Sequence, residues 1–264
     1  MINNDITATP TMAVIGAGNV ATHLASAFHR VGVKIVSVTD NSGRHAPALA
    51  EALGAEYVAR VEDISNDVDF TLIATTDAAV ADISRRLSPR RGLVAHTSGS
   101  VPLDTLSQRH PHAAVLYPLQ TFSRDVAVDL SMVPFFTEAT STDDLATVDT
   151  WARRLGNNVY HADSSHRRYL HIAGVLTSNF PIYLLEGARQ VLDRGGYPLE
   201  VVKPLVEASM NKAFTTSPAD ALTGPARRGD VAVTKLQEEA LESPFKEIYH
   251  TLTQAILNDY HGQN

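Results

Sequence analysis

The sequence predicts an α/β domain built on a mostly parallel, doubly wound sheet, followed by an all-α domain. Three observations predict it. The apolar run Met12 to Ile15 breaks at Gly16-Ala17-Gly18 and resumes as a helical stretch from Asn19 to Phe28. Short apolar runs then alternate with helical stretches as far as Tyr160, which is the rhythm of successive βαβ units. Past residue 163 strand signals stop and only helical periods remain, so the expected domains are 1–162 and 163–264.

The first strand and turn carry the most information. Gly16-Ala17-Gly18-Asn19-Val20-Ala21 follows a strand and opens a helix, which is the context that gives G-x-G-x-x-A its meaning. Gly16 permits the tight turn, Gly18 lets backbone approach a pyrophosphate, and Ala21 is small enough for the helix to pack on the strand. The free N–H groups and positive dipole end of the helix face the same phosphates. The next apolar run, Val33 to Val38, leads to Asp40, placed where a dinucleotide fold puts the carboxylate that meets the adenine ribose. A Rossmann domain binding NAD or NADP is therefore expected. Asp40 suits a free 2′-hydroxyl and hence NAD, whereas Ser42 and Arg44, beside Asn41, could hold the 2′-phosphate of NADP. Arg44 is equally readable as a solvated loop charge.

Further elements follow in order. Ala46 to Leu53 reads as a helix ended by Gly54, and Val68 to Ala74 as a buried strand running into Thr75-Thr76-Asp77 and another helix. Gly92 to His96 is a strand followed by Thr97-Ser98-Gly99-Ser100-Val101-Pro102. Ligands of open parallel sheets bind beyond the carboxyl ends of the strands, so Ala74, Thr75, Thr76, Thr97 and Ser98 are expected beside the cofactor; turn chemistry alone also explains the Ser and Thr. Ala113 to Tyr117, Val133 to Thr137 and Val159-Tyr160 are further strands, with a loop at Pro118 to Ser123 and a helix from Thr142 to Leu155. In the second half, Ser164 to Asp193 reads as one long helix that Pro181 can kink, followed by helices at Leu199–Phe214, Val231–Glu242 and Phe245–Asn258. A long loop, 215–230, interrupts them.

Composition narrows the function classes. Of 264 residues, 22 are basic and 29 acidic, for a net charge of −7. That argues against nucleic acid as the main partner. Without cysteine there is neither disulfide nor thiolate catalysis, and no metal site is expected. The opening MINNDITATP lacks a basic segment followed by an apolar one, and no apolar run has transmembrane length, so a cytoplasmic protein without membrane attachment is expected.

A proton donor is expected from whatever closes the crevice. On the long helix His171, Val175, Ser178 and Asn179 share one face by spacing. Imidazole titrates near neutrality and could protonate a carbonyl oxygen that receives hydride, with the Asn179 amide holding that oxygen. The bland alternative is that His166, Arg167, Arg168 and His171 form a wet, basic face. Arg228 could bring a guanidinium fork to an anionic substrate, or pair with Asp230 and only shape its loop.

The motifs GAGNVA, HTSGS, YPLQTFS, HIAGVLTSNF and ALTGPARRGD, in this order, resemble a family of NAD(P)-dependent oxidoreductases. Its members join a Rossmann domain of the coenzyme F420-dependent NADP oxidoreductase type to a helical domain of unknown function, DUF2520. The resemblance implies a C-terminal domain of the 6-phosphogluconate dehydrogenase type that often forms a homodimer and roofs the nicotinamide. Ketopantoate reductases, pyrroline-5-carboxylate reductases and β-hydroxyacid dehydrogenases are the wider kin. Several relatives use a lysine as the acid; here His171 stands at the similar position and Asn179 remains. By the same similarity Ser98 is a substrate contact. The expected activity is hydride transfer between nicotinamide and a small, anionic keto or hydroxy acid, ketopantoate included. The alternatives are reduction of a cyclic imine and a dinucleotide-binding sensor or scaffold without chemistry.

Overall fold

The computed structural model describes residues 9–262. It divides into two compact units, one up to Leu176 and one from Thr177 onward. The first therefore takes in one more helix than the sequence boundary at 162/163, because that helix is fastened to the sheet by a buried arginine described below.

The first unit is an eight-stranded sheet. Its strands are β1 (Thr11–Ile15), β2 (Lys34–Thr39), β3 (Glu56–Tyr57), β4 (Phe70–Ile73), β5 (Leu93–His96), β6 (Ala113–Pro118), β7 (Phe135–Ala139) and β8 (Val159–His161). Their spatial order is β3-β2-β1-β4-β5-β6-β7-β8, and only the β6–β7 pairing is antiparallel. The chain leaves β1 for β2 on one side and later enters β4 on the other, so a crevice opens where the strand order reverses, beyond the ends of β1 and β4. Strand β3 is too short to have shown as a pattern.

Alternation along β1 explains the two core layers. Met12 and Val14 point to one face with Leu24, Phe28 and Trp151; Ala13 and Ile15 point to the other with Val80, Ile83 and Val115. Such strands, covered on both faces, read as continuous apolar runs. Helices α1 (Asn19–Arg30), α2 (Ala46–Leu53), α3 (Asp77–Arg86), the short α4 (Asp104–Ser107), α5 (Thr142–Arg153) and α6 (Ser164–Gly174) complete this unit.

The expected long helix from Ser164 is continuous to Arg194, as α6, a π turn at Val175–Asn179, and α7 (Phe180–Arg194). Pro181 gives the reason for the π turn. It has no N–H for the carbonyl four residues earlier and its ring crowds that carbonyl, so the preceding turn widens rather than breaks. In the second unit a 3-10 turn at Leu199–Val202 precedes α8 (Lys203–Thr215). The expected loop 215–230 holds two short helices, α9 (Pro218–Ala221) and α10 (Pro225–Arg228), each with proline at its start. Ser217 Oγ caps the first, accepting from Asp220 N at 3.1 Å. Then come α11 (Val231–Glu239) and α12 (Phe245–His261). The last runs past the expected Asn258 because α10 docks on its end: Arg227 lies 3.8 Å over the Tyr260 ring, and His261 Nε2 is 3.1 Å from the Arg227 carbonyl. Among the described residues, no helix is long and apolar enough to cross a membrane.

Candidate active site

Because β1, β2, β4, β5 and β6 run parallel, the turn after β1, Ala74–Thr76, Thr97–Gly99 and Tyr117 all lie at one edge of the sheet. Gly16 is required there. Its φ of +118° favours glycine, and a Cβ would stand 2.1 Å from the Ala74 carbonyl oxygen. Its N–H donates to the Thr39 carbonyl (2.7 Å), which binds the turn to the end of β2. Gly18 is the opposite case: a Cβ would meet nothing within 4 Å, so the missing side chain leaves open space in front of the first turn of α1. No side chain caps that helix and its first turn holds no acidic residue. Uncapped N–H groups and a positive dipole end therefore face the space, as a diphosphate requires.

Asp40 lies at the end of β2, and its carboxylate organises the turn that follows. Its Oδ2 accepts from Ser42 Oγ (3.3 Å), His45 N (3.1 Å) and Ala46 N (3.3 Å), folding the 40–46 turn and capping α2. Its Oδ1 is buried without a partner. An orphaned acceptor suits a ribose hydroxyl, since leaving such an atom unpaired is costly. Asn41, Ser42 and Arg44 are exposed on this turn. Asn19 donates through Nδ2 to the Phe122 carbonyl (2.9 Å), fastening the 119–124 loop to α1 rather than presenting its amide to a phosphate. His23 Nε2 lies 2.9 Å from the Ser123 carbonyl on the same loop.

Ser98 is buried, and its hydroxyl accepts from Ser100 N (3.1 Å) and Val101 N (2.9 Å), leaving its own proton free to donate. Its N–H donates to His96 Nδ1 (3.2 Å). Burial, with the nearby Arg167 charge, pushes the His96 imidazole down to about 3, so it stays neutral as an acceptor. Gly99 makes room for two rings: a Cβ there would stand 2.8 Å from Tyr117 and 3.0 Å from His171 Nδ1. The Tyr117 hydroxyl and His171 Nδ1 are 3.3 Å apart, with the rings edge-on. Burial raises the Tyr117 phenol above its ordinary value, which keeps its proton in place.

The basic face expected of α6 is divided. His166 and Arg168 are exposed, but Arg167 is fully buried. It pairs with Glu138 and donates to the carbonyls of Val101 (2.7 Å) and Ser98 (3.3 Å), locking the helix that carries His171 onto the Ser98 loop. In the second unit Asn179 is exposed at the end of the π turn, and Arg228 Nε pairs with Asp230 Oδ2 at 3.0 Å. Sequence reasoning missed Tyr117 and Arg167. The first was visible only as the start of YPLQTFS, and burial of an arginine has no signature in spacing.

Fold and site together define a dinucleotide-binding oxidoreductase, with a glycine turn for the diphosphate and a Tyr–His pair at the same sheet edge. Comparison with known families agrees. Residues 11–98 match the family described as NADP oxidoreductase, coenzyme F420-dependent, and residues 133–256 match DUF2520, a domain of unknown function. BF3122 of Bacteroides fragilis, a proposed NADP oxidoreductase, is 34% identical with a TM-score of 0.88, covering 94% of this chain and 98% of that one. The imine reductase of Myxococcus stipitatus in complex with NADP+ (18% identity, TM-score 0.69, 96% of each chain) and the 1-pyrroline-5-carboxylate reductase of Streptococcus pyogenes (15%, 0.61, 96% and 98%) share the fold. No protein of curated function matches the sequence. The chain belongs to the NADP oxidoreductase family that BF3122 represents, and its cofactor is a nicotinamide dinucleotide, NADP or NAD.

Proposed function

We propose that the protein is a reductase or dehydrogenase that interconverts a small, anionic keto acid and its hydroxy acid, with ketopantoate among the substrates to try. Bound nicotinamide would supply or accept the hydride. The observation that carries the reading is the Tyr117–His171 pair beside the Ser98 loop. When the imidazole is protonated, His171 Nδ1–H donates to the phenol oxygen and the second proton sits on Nε2, where it can pass to a substrate oxygen as carbon receives hydride, leaving neutral histidine. Ser98 O–H is a second donor for that oxygen, while Asn179 and Arg228 would orient the substrate, the latter through the guanidinium nitrogens its pairing with Asp230 leaves. In this reading residues 1–162 bind the cofactor, and residues 163–264 provide the substrate side and a homodimer interface. It places the protein in the cytoplasm.

The test is a screen of NADPH and NADH oxidation against short 2-keto acids and cyclic imines. Turnover of a keto acid is expected, and His171→Ala should lower it by about 10²–10⁴-fold with dinucleotide binding intact. Tyr117→Phe, which frees the imidazole from its partner, should cost less. Turnover of imines alone would replace the substrate class. Tight cofactor binding with no turnover of any candidate would favour a sensor or scaffold.

A further inference from the structure

Arg124 reaches from the loop after β6 to two points that the fold sets apart. Its Nη2 donates to the Ala17 carbonyl in the glycine turn (3.0 Å), and its Nη1 lies 3.1 Å from His45 Nδ1 at the far end of the 40–46 turn. A single guanidinium thus spans the strip between the diphosphate turn and the turn that follows β2. In a dinucleotide fold that strip carries the adenine ribose. The loop bearing Arg124 is fixed from below, since Asn19 and His23 hold the carbonyls of Phe122 and Ser123 and the Phe122 ring lies 5.3 Å from His23.

The charge of the strip follows from these contacts. Asp40 has Oδ2 engaged by three donors of its own turn, so only Oδ1, which is buried, is left to meet a ribose hydroxyl. At the surface the basic groups are Arg44, His45 and Arg124, with Asp125 next to Arg124 in sequence. Arg124 is exposed, and its two contacts use two of the five guanidinium donors. A planar fork of this kind suits a phosphate held by two parallel bonds. An unphosphorylated ribose offers it only neutral hydroxyl acceptors, without the charge or the paired oxygens of a phosphate.

We propose that Arg124 is a specificity-determining residue that binds the 2′-phosphate of the adenine ribose, so that the site selects NADP over NAD. The chemistry needs no turnover, so the test is independent of the proposed reaction. The probes are 2′,5′-ADP and 5′-AMP, which differ by the phosphate in question, titrated calorimetrically against the full chain. Arg124→Ala should weaken 2′,5′-ADP by about tenfold or more, the value of one charge-assisted phosphate contact, and leave 5′-AMP within about twofold. Arg124→Lys, which keeps the charge and loses the fork, should fall between. Unchanged thermal melting of both variants separates lost contact from lost fold. Equal weakening of the two probes would make Arg124 a clamp on the diphosphate or loop, and unchanged binding of 2′,5′-ADP would leave it a loop tether; either result overturns the proposal.

Discussion

Arg167 shows how much one side chain can decide. It is among the largest side chains fully enclosed by the protein, and its charge is met by Glu138 and by backbone carbonyls on the Ser98 loop. Removing the arginine leaves Glu138 largely buried with only the Ser164 hydroxyl to donate to it, so Arg167→Met should cost about 3 kcal/mol in urea unfolding. The double change Arg167→Met, Glu138→Leu should recover much of that loss, because the orphaned carboxylate goes too. His96 makes a second prediction. Its folded pKa, about 3, is depressed from 6.5 by burial, so the unfolded chain binds a proton that the folded chain does not as pH falls below about 6. Stability should therefore drop by about 1.4 kcal/mol for each pH unit between about 6 and 3, and be restored above 6.5. His110, also lowered chiefly by burial, adds a loss of the same sign. Comparing wild type with His96→Gln across that range isolates the contribution of His96; parallel curves would show that it carries none.

At the scale of elements, what the sequence made legible was whatever depends on local pattern. The strand, turn and helix at Thr11–Arg30 are written in spacing, because Gly16 and Ala21 answer steric needs of their own neighbours. Asp40 was placed correctly at the end of β2, yet its work of capping α2 depends on where His45 and Ala46 return in space. Tyr117 and Arg124 were not legible for the same reason: the first acquires meaning from His171, 54 residues away, and the second from Ala17, 107 residues away. Pro181 announced a disturbance without its kind. Only the structure shows that the strain is taken up as the π turn at Val175–Asn179, which lies between His171 and α7. Spacing arguments that placed His171 and Asn179 on one face assumed unbroken α-helix, so their shared direction rests on the proposed reaction and not on the 3.6 period.

The whole molecule leaves one half undersupplied with core. From Thr177 on, among the described residues, Gly187, Thr234 and Thr253 alone are buried, and none is a large apolar side chain. Phe180, Tyr183, Leu205, Met210, Leu236 and Phe214, the last 89% exposed, stand in water on helices of that unit. Short helices draw most of their stability from packing an apolar face, and a monomer rarely leaves so much apolar surface open. A second copy of the chain is the cover proposed above, and it makes definite demands. The protein should sediment as a dimer at micromolar concentration, and its melting temperature should rise with protein concentration, because folding and association are then one equilibrium. Phe214→Asp places a charge where the apolar face must be buried, and should shift the species to monomer with a lower melting temperature. The glycine turn belongs to the other unit, so 2′,5′-ADP should still bind that variant. A wild-type monomer that melts cooperatively at a temperature independent of concentration would rule the dimer out, and the exposed residues of α7, α8 and α11 would then need another cover.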